Sequence, residues 1–149
     1  TGGPHSVYES GAPSVDPTIF SLGIPVLGIC YGCQLMAHLL GGRVSPASDA
    51  TAREYGKTPT FYDTACPLFD GLDSEGVSWM SHGDYMEVVP EGFKLTAHSD
   101  NCPNVAIADT KRGFYGVQFH PESVMTPEGI TIIRNFMKIV EQFQKGTKA

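Results

Sequence analysis

The apolar and polar positions predict one long amphipathic helix near the C-terminus and several shorter elements before it. From residue 130 onward, apolar residues recur at three- and four-residue steps, which is the period of one helix face. Thr126 is the predicted N-cap of this helix, and Pro127 is its first residue. The predicted apolar stripe consists of Ile130, Ile133, Phe136, Met137, Val140 and Phe143. This segment is the clearest predicted helix of the chain.

The remaining pattern predicts short strands alternating with helical segments. An apolar run at 24–29 predicts a buried strand, and the run at 34–40 predicts a helix that ends at Gly41. Short helical turns are predicted at 18–22 and 67–72. Further extended segments are predicted at 43–44, 53–62, 77–80, 93–98, 105–108 and 114–119, with a turn at 56–57. This alternation favours a three-layer α/β domain over an all-β domain.

Composition restricts the functions that this domain can have. The 149 residues are 41% hydrophobic and 17% charged, which is typical of a single globular domain. The formal charge of −6 and the lack of a Lys/Arg cluster argue against a nucleic-acid partner. No apolar run approaches the roughly 18 residues of a membrane span, and the four cysteines form no disulfide framework. We therefore expect a cytoplasmic protein with no membrane partner.

The segment Gly28-Ile29-Cys30-Tyr31-Gly32 joins the predicted strand to the predicted helix. Glycines on both sides of Cys30 allow the sharp turn of a nucleophile elbow, with sulfur in place of a serine oxygen. The helix N-terminus is expected to lower the thiol pKa from about 8.5 to roughly 3.5–7.5. Cys30 is therefore a candidate nucleophile. A buried structural cysteine, and a redox pair with Cys33 in a C-x-x-C motif, are the alternatives.

The segment Gly116-Val117-Gln118-Phe119-His120-Pro121-Glu122 supplies a candidate base. In a strand, Gln118 and His120 share one face, and His120 falls at the strand end, where α/β sheets form their sites. The intervening proline can hold Glu122 where its carboxylate accepts a ring N–H, as the third member of a triad does. A strand-end histidine bonded to backbone is the alternative for His120. Together with Cys30, the pattern predicts a Cys–His–Glu triad.

These two segments resemble the motifs of class I glutamine amidotransferases, over nearly the whole chain from Thr1 to about Phe143. The segments Arg-Glu-Tyr-Gly at 53–56 and Trp-Met-Ser-His-Gly-Asp at 79–84 resemble the GMP synthetase branch in particular. The resemblance implies a three-layer α/β sandwich with a mostly parallel central sheet, the flavodoxin-like architecture of the family. It also implies that residues 1–149 form a single amidotransferase domain.

The chain departs from the family pattern at two places. The turn Thr1-Gly2-Gly3-Pro4 resembles the oxyanion loop, but no strand or helix precedes it, so we expect a fragment that lacks its first elements. Ser123 after His-Pro-Glu resembles the glutaminase subunits of anthranilate and aminodeoxychorismate synthases, which remain an alternative. A stand-alone γ-glutamyl hydrolase, and a non-catalytic redox or binding module using Cys30 and Cys33, also remain open.

The resemblance implies the chemistry of glutamine hydrolysis. Cys30 attacks the side-chain amide, His120 protonates the departing ammonia, and a γ-glutamyl thioester is then hydrolysed. The backbone N–H groups of Gly3 and Tyr31 form the implied oxyanion hole. The implied glutamine-binding residues are Gln34, Ser81, His82 and Asp84. No metal or cofactor is implied here; ATP and Mg belong to an ATP-pyrophosphatase (synthetase) partner that uses the ammonia. His5, His38 and His98 are expected to have no role.

Overall fold

A computed structural model describes residues 5–46 and 54–147 of the chain, excluding the side chain of the last of these. The strands and helices in chain order are β1 (Val26–Ile29), α1 (Tyr31–Leu39), β2 (Arg43–Pro46), β3 (Glu54–Tyr62), β4 (Glu75–His82), β5 (Asp84–Val88), β6 (Lys94–His98), β7 (Ala106–Asp109), β8 (Phe114–Val117) and α2 (Gly129–Thr147). Two 3₁₀ turns, Pro17–Ser21 and Pro67–Phe69, replace the helical turns predicted near these positions.

The main sheet has six strands in the order β1-β8-β7-β6-β3-β4, and β2 pairs separately with β5. Strands β1 and β8 are parallel, whereas every other neighbouring pair in the described sheets is antiparallel. The sheet is therefore mixed, where the sequence analysis expected a mostly parallel one. The reason is connection length, because parallel neighbours need a crossover of about a dozen residues. The loop between β7 and β8 spans only residues 110–113, which permits a hairpin.

Helices α1 and α2 cover opposite faces of this sheet, which gives the three layers that the sequence predicted. Along β8, Phe114 packs in the cluster that holds Met36 of α1. The next residue, Tyr115, packs in the cluster that holds Ile132 of α2. The alternation follows from the two-residue period of a strand. A Cβ on Gly116 would lie 2.7 Å from a side chain of α1, so this glycine lets the helix approach the sheet.

Helix α2 differs from its prediction in its start and in its buried face. It begins at Gly129, and the hydroxyl of Thr126 accepts from Trp79 N (2.9 Å) and donates to His120 O (2.8 Å) instead of capping the helix. Strand β4 lies at an edge of the described sheet, so its outward N–H groups need such partners. The buried side chains of α2 are Ile132, Asn135 and Ile139. Of the predicted stripe, Phe136 and Phe143 pack against the core, while Ile130 and Met137 are exposed. The Asn135 amide fixes this rotation by donating to two carbonyls at the 3₁₀ turn 67–69 and just after it.

The turn predicted at 56–57 is absent. Gly56 has a φ of +93° inside β3, where pairing with β4 continues without interruption. Eight consecutive residue pairs join the two strands, and this long-range pairing outweighs the local turn preference of a glycine followed by a lysine. Of the helices that the described ranges contain, none has the length and apolar character needed to cross a membrane.

Candidate active site at the Cys30 turn

Cys30 occupies a strained turn between β1 and α1. Its φ of +52° is the one positive value at a non-glycine residue in the described part of the chain. Such a conformation costs about 1–3 kcal/mol and persists only where its surroundings hold it. Here Cys30 N donates to Val117 O at 2.8 Å, and Gln34 N donates to Cys30 O at 3.1 Å. A Cβ on Gly28 would lie 2.7 Å from Gly32 O, so the turn needs a glycine there. The sharp turn predicted from the sequence is present.

The Cys30 thiol is buried and has two polar neighbours. It donates to Ser81 O (3.6 Å) and accepts from Gln118 Nε2 (3.5 Å). Burial raises the thiol pKa, and the nearby negative charge of Glu122 raises it too, although the Tyr31 N–H and the Gln118 amide act in the opposite direction. The expectation of a lowered Cys30 pKa is therefore wrong. The desolvation of a thiolate outweighs the helix N-terminus.

The redox partner considered in the sequence analysis is placed for packing. Cys33 is fully buried against the sheet, and a Cβ on Gly116 would lie 2.7 Å from its sulfur. Burial strongly raises the pKa of the Cys33 thiol, with the neighbouring Cys30 adding to the effect. Both cysteines are free thiols. A buried neutral thiol is a poor nucleophile for disulfide exchange, so this geometry does not support a redox module.

His120 and Glu122 form the pair expected of a base and its orienting carboxylate. His120 Nδ1 lies 2.6 Å from Glu122 Oε1, with the His120 side chain mostly buried and Glu122 half exposed. The backbone of His120 is fixed by donation from its N–H to Trp79 O at 3.0 Å. Within residues 5–46 and 54–147, the Cys30 thiol bonds to Ser81 and Gln118 and not to the imidazole. The charge of Glu122 acts on the Cys30 thiol, and His120 is bonded to Glu122, but a contact between the imidazole and the sulfur stays a prediction.

A cavity of about 230 Å³ opens beside Cys30. Its size is below the roughly 300–1,000 Å³ of sites for drug-sized ligands, and it suits a ligand of amino-acid size. All four residues that the sequence analysis assigned to glutamine binding line it, together with His5, for which no role was expected. The lining consists of His5, Cys30, Tyr31, Gln34, Tyr55, Ser81, His82, Gly83 and Asp84. Gly3, the other oxyanion-hole candidate, lies outside the described residues.

A second, larger cavity shares His5 and Tyr31 with the first, but Cys30 is not in its lining. It measures about 580 Å³ and runs along β1 between the segment 13–20 and the first helix. Most of its lining is apolar, and among the described residues it presents no thiol and no carboxylate. Cys30 and the four predicted glutamine-binding residues lie in the smaller cavity.

Two polar residues of the smaller cavity are fixed by buried or partly buried contacts. His82 Nδ1 lies 2.8 Å from Asp84 O, and its Nε2 lies 3.1 Å from Glu54 Oε1. The carboxylate of Asp84 accepts from the Ser6 hydroxyl and from the Tyr8 hydroxyl, the latter at 2.8 Å. His82 is thus part of a buried hydrogen-bond network.

A family model described as "Glutamine amidotransferase class-I" matches residues 1–140. The chain belongs to this family. Among the curated relatives of this amidotransferase chain, "GMP synthase [glutamine-hydrolyzing]" of Clostridium perfringens is 53% identical over 137 residues. The protein of the same name from Carboxydothermus hydrogenoformans is 54% identical over 137 residues. Each alignment covers 92% of this chain and 26% of the relative, so the chain spans about a quarter of their length.

Solved structures agree with the family architecture that was expected. A Thermoplasma acidophilum protein described as part of a GMP synthase superposes with a TM-score of 0.82 at 34% identity, over 88% of this chain and 64% of that one. A glutamine amidotransferase from Thermotoga maritima superposes with a TM-score of 0.68 at 22% identity, over 99% of this chain and 63% of that one. The second comparison shows the fold alone. The α/β class and the class I amidotransferase architecture are confirmed.

One cluster in this amidotransferase domain has the residue types of a metal site. Ligand-type atoms of Glu54, His82 and Cys102 lie within 4.8 Å of one another. However, His82 and Glu54 already bond to each other, and the Ser99 hydroxyl donates to the second carboxylate oxygen at 2.6 Å. Burial raises the pKa of the Cys102 thiol to about 11, which disfavours the thiolate that a metal needs. The cluster is explained as a hydrogen-bond network.

Three residues of the site were not singled out by sequence reasoning. Gln118 contacts the Cys30 sulfur, Glu54 contacts His82, and Tyr8 contacts Asp84. The signal for Gln118 was present, because it shares a strand face with His120. Tyr8 and Asp84 are 76 residues apart in the chain, and no local pattern predicts that contact.

Proposed function

We propose that this chain is the glutaminase domain of a GMP synthase and that it hydrolyses glutamine to glutamate and ammonia. The observation that carries the proposal is the placement of Cys30 on a strained turn that opens into a cavity of amino-acid size. The same cavity is lined by Gln34, Ser81, His82 and Asp84, the residues that family resemblance assigns to glutamine. The name of the curated relatives supports the synthase assignment.

In the proposed first half-reaction, His120 removes the thiol proton and the thiolate attacks the side-chain amide carbon of glutamine. A base is needed because burial raises the Cys30 pKa, so the resting thiol is protonated at neutral pH. Glu122 accepts from His120 Nδ1, which leaves Nε2 as the basic nitrogen. The imidazolium then gives its proton to the amide nitrogen as the C–N bond breaks. Ammonia leaves, and a γ-glutamyl thioester remains on Cys30.

The second half-reaction uses the same histidine. His120 takes a proton from water as the water oxygen attacks the thioester carbon, the C–S bond breaks, and the proton returns to the sulfur. Negative charge develops on the carbonyl oxygen in both steps. We propose that the backbone N–H groups of Tyr31 and Gly3 face this oxygen, each contributing about 2.7–4 kcal/mol of transition-state stabilisation. Tyr31 N lies at the start of α1, where the helix leaves N–H groups free.

The remaining part of glutamine is bound at the opposite wall. We assign its α-ammonium group to the Asp84 carboxylate, which Ser6 and Tyr8 hold in place through their hydroxyls. Gln34 and Ser81 supply further polar groups, while His82 fixes the start of β5 through the Asp84 carbonyl. A charge-assisted contact of this kind contributes about 1.5–3 kcal/mol.

The ammonia has a consumer outside this chain. We propose that the partner is an ATP-pyrophosphatase (synthetase) domain, fused or separate, which uses ATP and Mg and converts XMP to GMP with the ammonia. The chain spans about a quarter of the curated relatives, which leaves room for such a partner in proteins of that kind. The glutaminase half needs no cofactor in this scheme. The free thiols fit a reducing cytoplasm.

The proposal is tested with Cys30→Ala in the full-length protein. GMP formation from XMP is measured once with glutamine and once with an ammonium salt as the nitrogen source. The variant should lose the glutamine-dependent reaction and retain the ammonia-dependent one. Cys66→Ala, which changes a buried thiol outside the cavity, should retain both. Equal loss of both reactions in the Cys30 variant would argue against the proposal.

A further inference from the structure

Two consecutive amide hydrogen bonds connect the Cys30 sulfur to the wall of the cavity. Gln118 Nε2 donates to Cys30 Sγ at 3.5 Å, and Gln118 Oε1 accepts from Gln34 Nε2 at 3.0 Å. Both glutamine side chains are buried, and Gln118 has no exposed surface. We propose that Gln118 is a positioning residue for the nucleophile. It stabilises the thiolate form of Cys30 by N–H donation, and Gln34 holds its amide in the donating orientation.

The orientation of the Gln118 amide follows from its neighbours. Gln34 Nε2 also lies 3.3 Å from Asp84 O, and a backbone carbonyl can only accept. The NH₂ end of Gln34 therefore points along this wall, and the atom of Gln118 that faces it must be the carbonyl oxygen. Consequently the NH₂ end of Gln118 faces the sulfur. A flipped amide would place two donors against each other and an acceptor against the thiolate.

Gln118 also differs from the other groups around the sulfur in what it can do during the reaction. Ser81 O accepts from the neutral thiol, and the same oxygen faces a negative charge once the proton has left. The Tyr31 N–H favours the thiolate, but in the proposed mechanism it turns to the carbonyl oxygen during attack. Gln118 is the donor that stays on the sulfur, because its amide is fixed at the other end by Gln34.

The position of Gln118 separates its effect from substrate binding. It does not line the cavity, whereas Gln34 does. Loss of the Gln118 donor should therefore lower kcat and leave KM for glutamine nearly unchanged. The kinetic part of this argument rests on the glutaminase function proposed above. The effect on the thiol itself does not, since it concerns the resting protein alone.

The test measures the ionisation of Cys30 in the full-length protein. The rate of Cys30 alkylation by iodoacetamide is followed by peptide mass spectrometry across the pH range in the wild type and in Gln118→Met. Methionine has a similar length but donates no hydrogen bond. A hydrogen bond to a charged group is worth enough to move the alkylation midpoint upward by roughly one to two pH units. We expect that shift, together with a fall of about tenfold or more in kcat for glutamine hydrolysis.

Two further variants control for folding and for the role of Gln34. Asn135→Leu removes another buried amide with two hydrogen bonds, at Leu68 and Asp70, and should leave the midpoint unchanged. Gln34→Met removes the orienting donor and should also raise the midpoint. The double variant Gln34→Met/Gln118→Met should raise the alkylation midpoint no further than Gln118→Met alone does, because both residues act through one chain of hydrogen bonds.

The outcomes distinguish this inference from the function it accompanies. An unchanged midpoint in Gln118→Met overturns the inference, and so does an equal shift in Asn135→Leu. If Gln118→Met does not accumulate as folded protein, an unchanged midpoint in Gln34→Met overturns it instead. If Gln118→Met raises the alkylation midpoint but the wild-type protein hydrolyses no glutamine, the inference is supported and the glutaminase proposal is refuted. If the wild-type protein hydrolyses glutamine but Gln118→Met leaves the alkylation midpoint unchanged, the glutaminase proposal is supported and the inference is refuted.

Discussion

His82 Nε2 lies 3.1 Å from Glu54 Oε1, and both side chains are almost fully buried. The other ring nitrogen, Nδ1, faces the Asp84 carbonyl oxygen, so it must carry a proton. A further proton must then lie between Nε2 and the carboxylate, because the two lone pairs cannot face each other. The pair thus fixes the turn between β4 and β5, on which the wall of the cavity depends.

Removal of the Glu54 carboxylate should destabilise the domain strongly. Loss of one partner from a buried pair typically costs about 3–5 kcal/mol, because the other polar group is left unpaired. We expect Glu54→Ala to lower the free energy of unfolding by about that amount in urea denaturation. Glu87→Ala breaks the exposed pair with Arg43 and should cost about 1 kcal/mol or less. A loss in Glu54→Ala no larger than that of the control would show that the buried pair is not structural.

Replacement of Asp84 by asparagine should weaken glutamine use without harm to the rest of the enzyme. The variant keeps the size of the side chain and an acceptor for Tyr8, but it removes the charge assigned to the α-ammonium group. Loss of a charge-assisted bond of about 1.5–3 kcal/mol corresponds to a fall of roughly 10- to 150-fold in kcat/KM for glutamine. Steady-state kinetics with glutamine and with ammonium salt measure the two reactions. An unchanged kcat/KM for glutamine would remove Asp84 from the binding site.

The sequence predicted the parts of the site that depend on local pattern. The turn at Cys30 follows from its flanking glycines, and the His120–Glu122 pair follows from a spacing of two residues with proline between them. The sequence did not predict the thiol pKa, because burial depends on packing by distant segments. The Ser81 carbonyl that contacts the sulfur lies 51 residues away in the chain.

The same distinction holds for the fold. Seven of the eight described strands lie within a few residues of a predicted extended segment, since they follow the apolar runs, whereas β5 (Asp84–Val88) was not predicted. The direction of each strand relative to its neighbours was not predicted correctly, because it depends on which connections cross the sheet. The buried face of α2 was predicted only in part, since Phe136 and Phe143 do pack against the core. Apolar period alone cannot show that the polar Asn135 is turned inward by carbonyls near the 3₁₀ turn 67–69. Thr126 was predicted as the N-cap because threonine is favoured at that position, but its hydroxyl contacts the backbone of Trp79 and of His120 instead.

Stability should fall at alkaline pH because several buried acids have raised pKa values. Burial raises the pKa of Cys102 from 9.0 to about 11 and that of Tyr62 from 10.0 to about 12. A raised pKa means that the folded state holds its proton more tightly than the unfolded chain does. The stabilisation is therefore complete below about pH 9 and is lost between about pH 9 and pH 12.

Cys102→Ala isolates one part of this dependence. A shift of two units corresponds to about 3 kcal/mol of stability lost across the window. The variant should show a shallower decline in the free energy of unfolding between pH 9 and pH 11, measured by urea denaturation at each pH. His38→Ala, at an exposed position on α1, should follow the wild-type curve. An identical slope in Cys102→Ala and wild type would contradict the burial argument.

The most direct test of the central claim, that Cys30 is the nucleophile of a glutamine site, is covalent labelling with the chloromethyl ketone analogue of glutamine. Peptide mass spectrometry of the labelled full-length protein identifies the modified residue. The account predicts one label per chain on Cys30, loss of glutamine-dependent activity in proportion to labelling, and protection by free glutamine. Labelling of another residue, or labelling of Cys30 that glutamine does not slow, would contradict it.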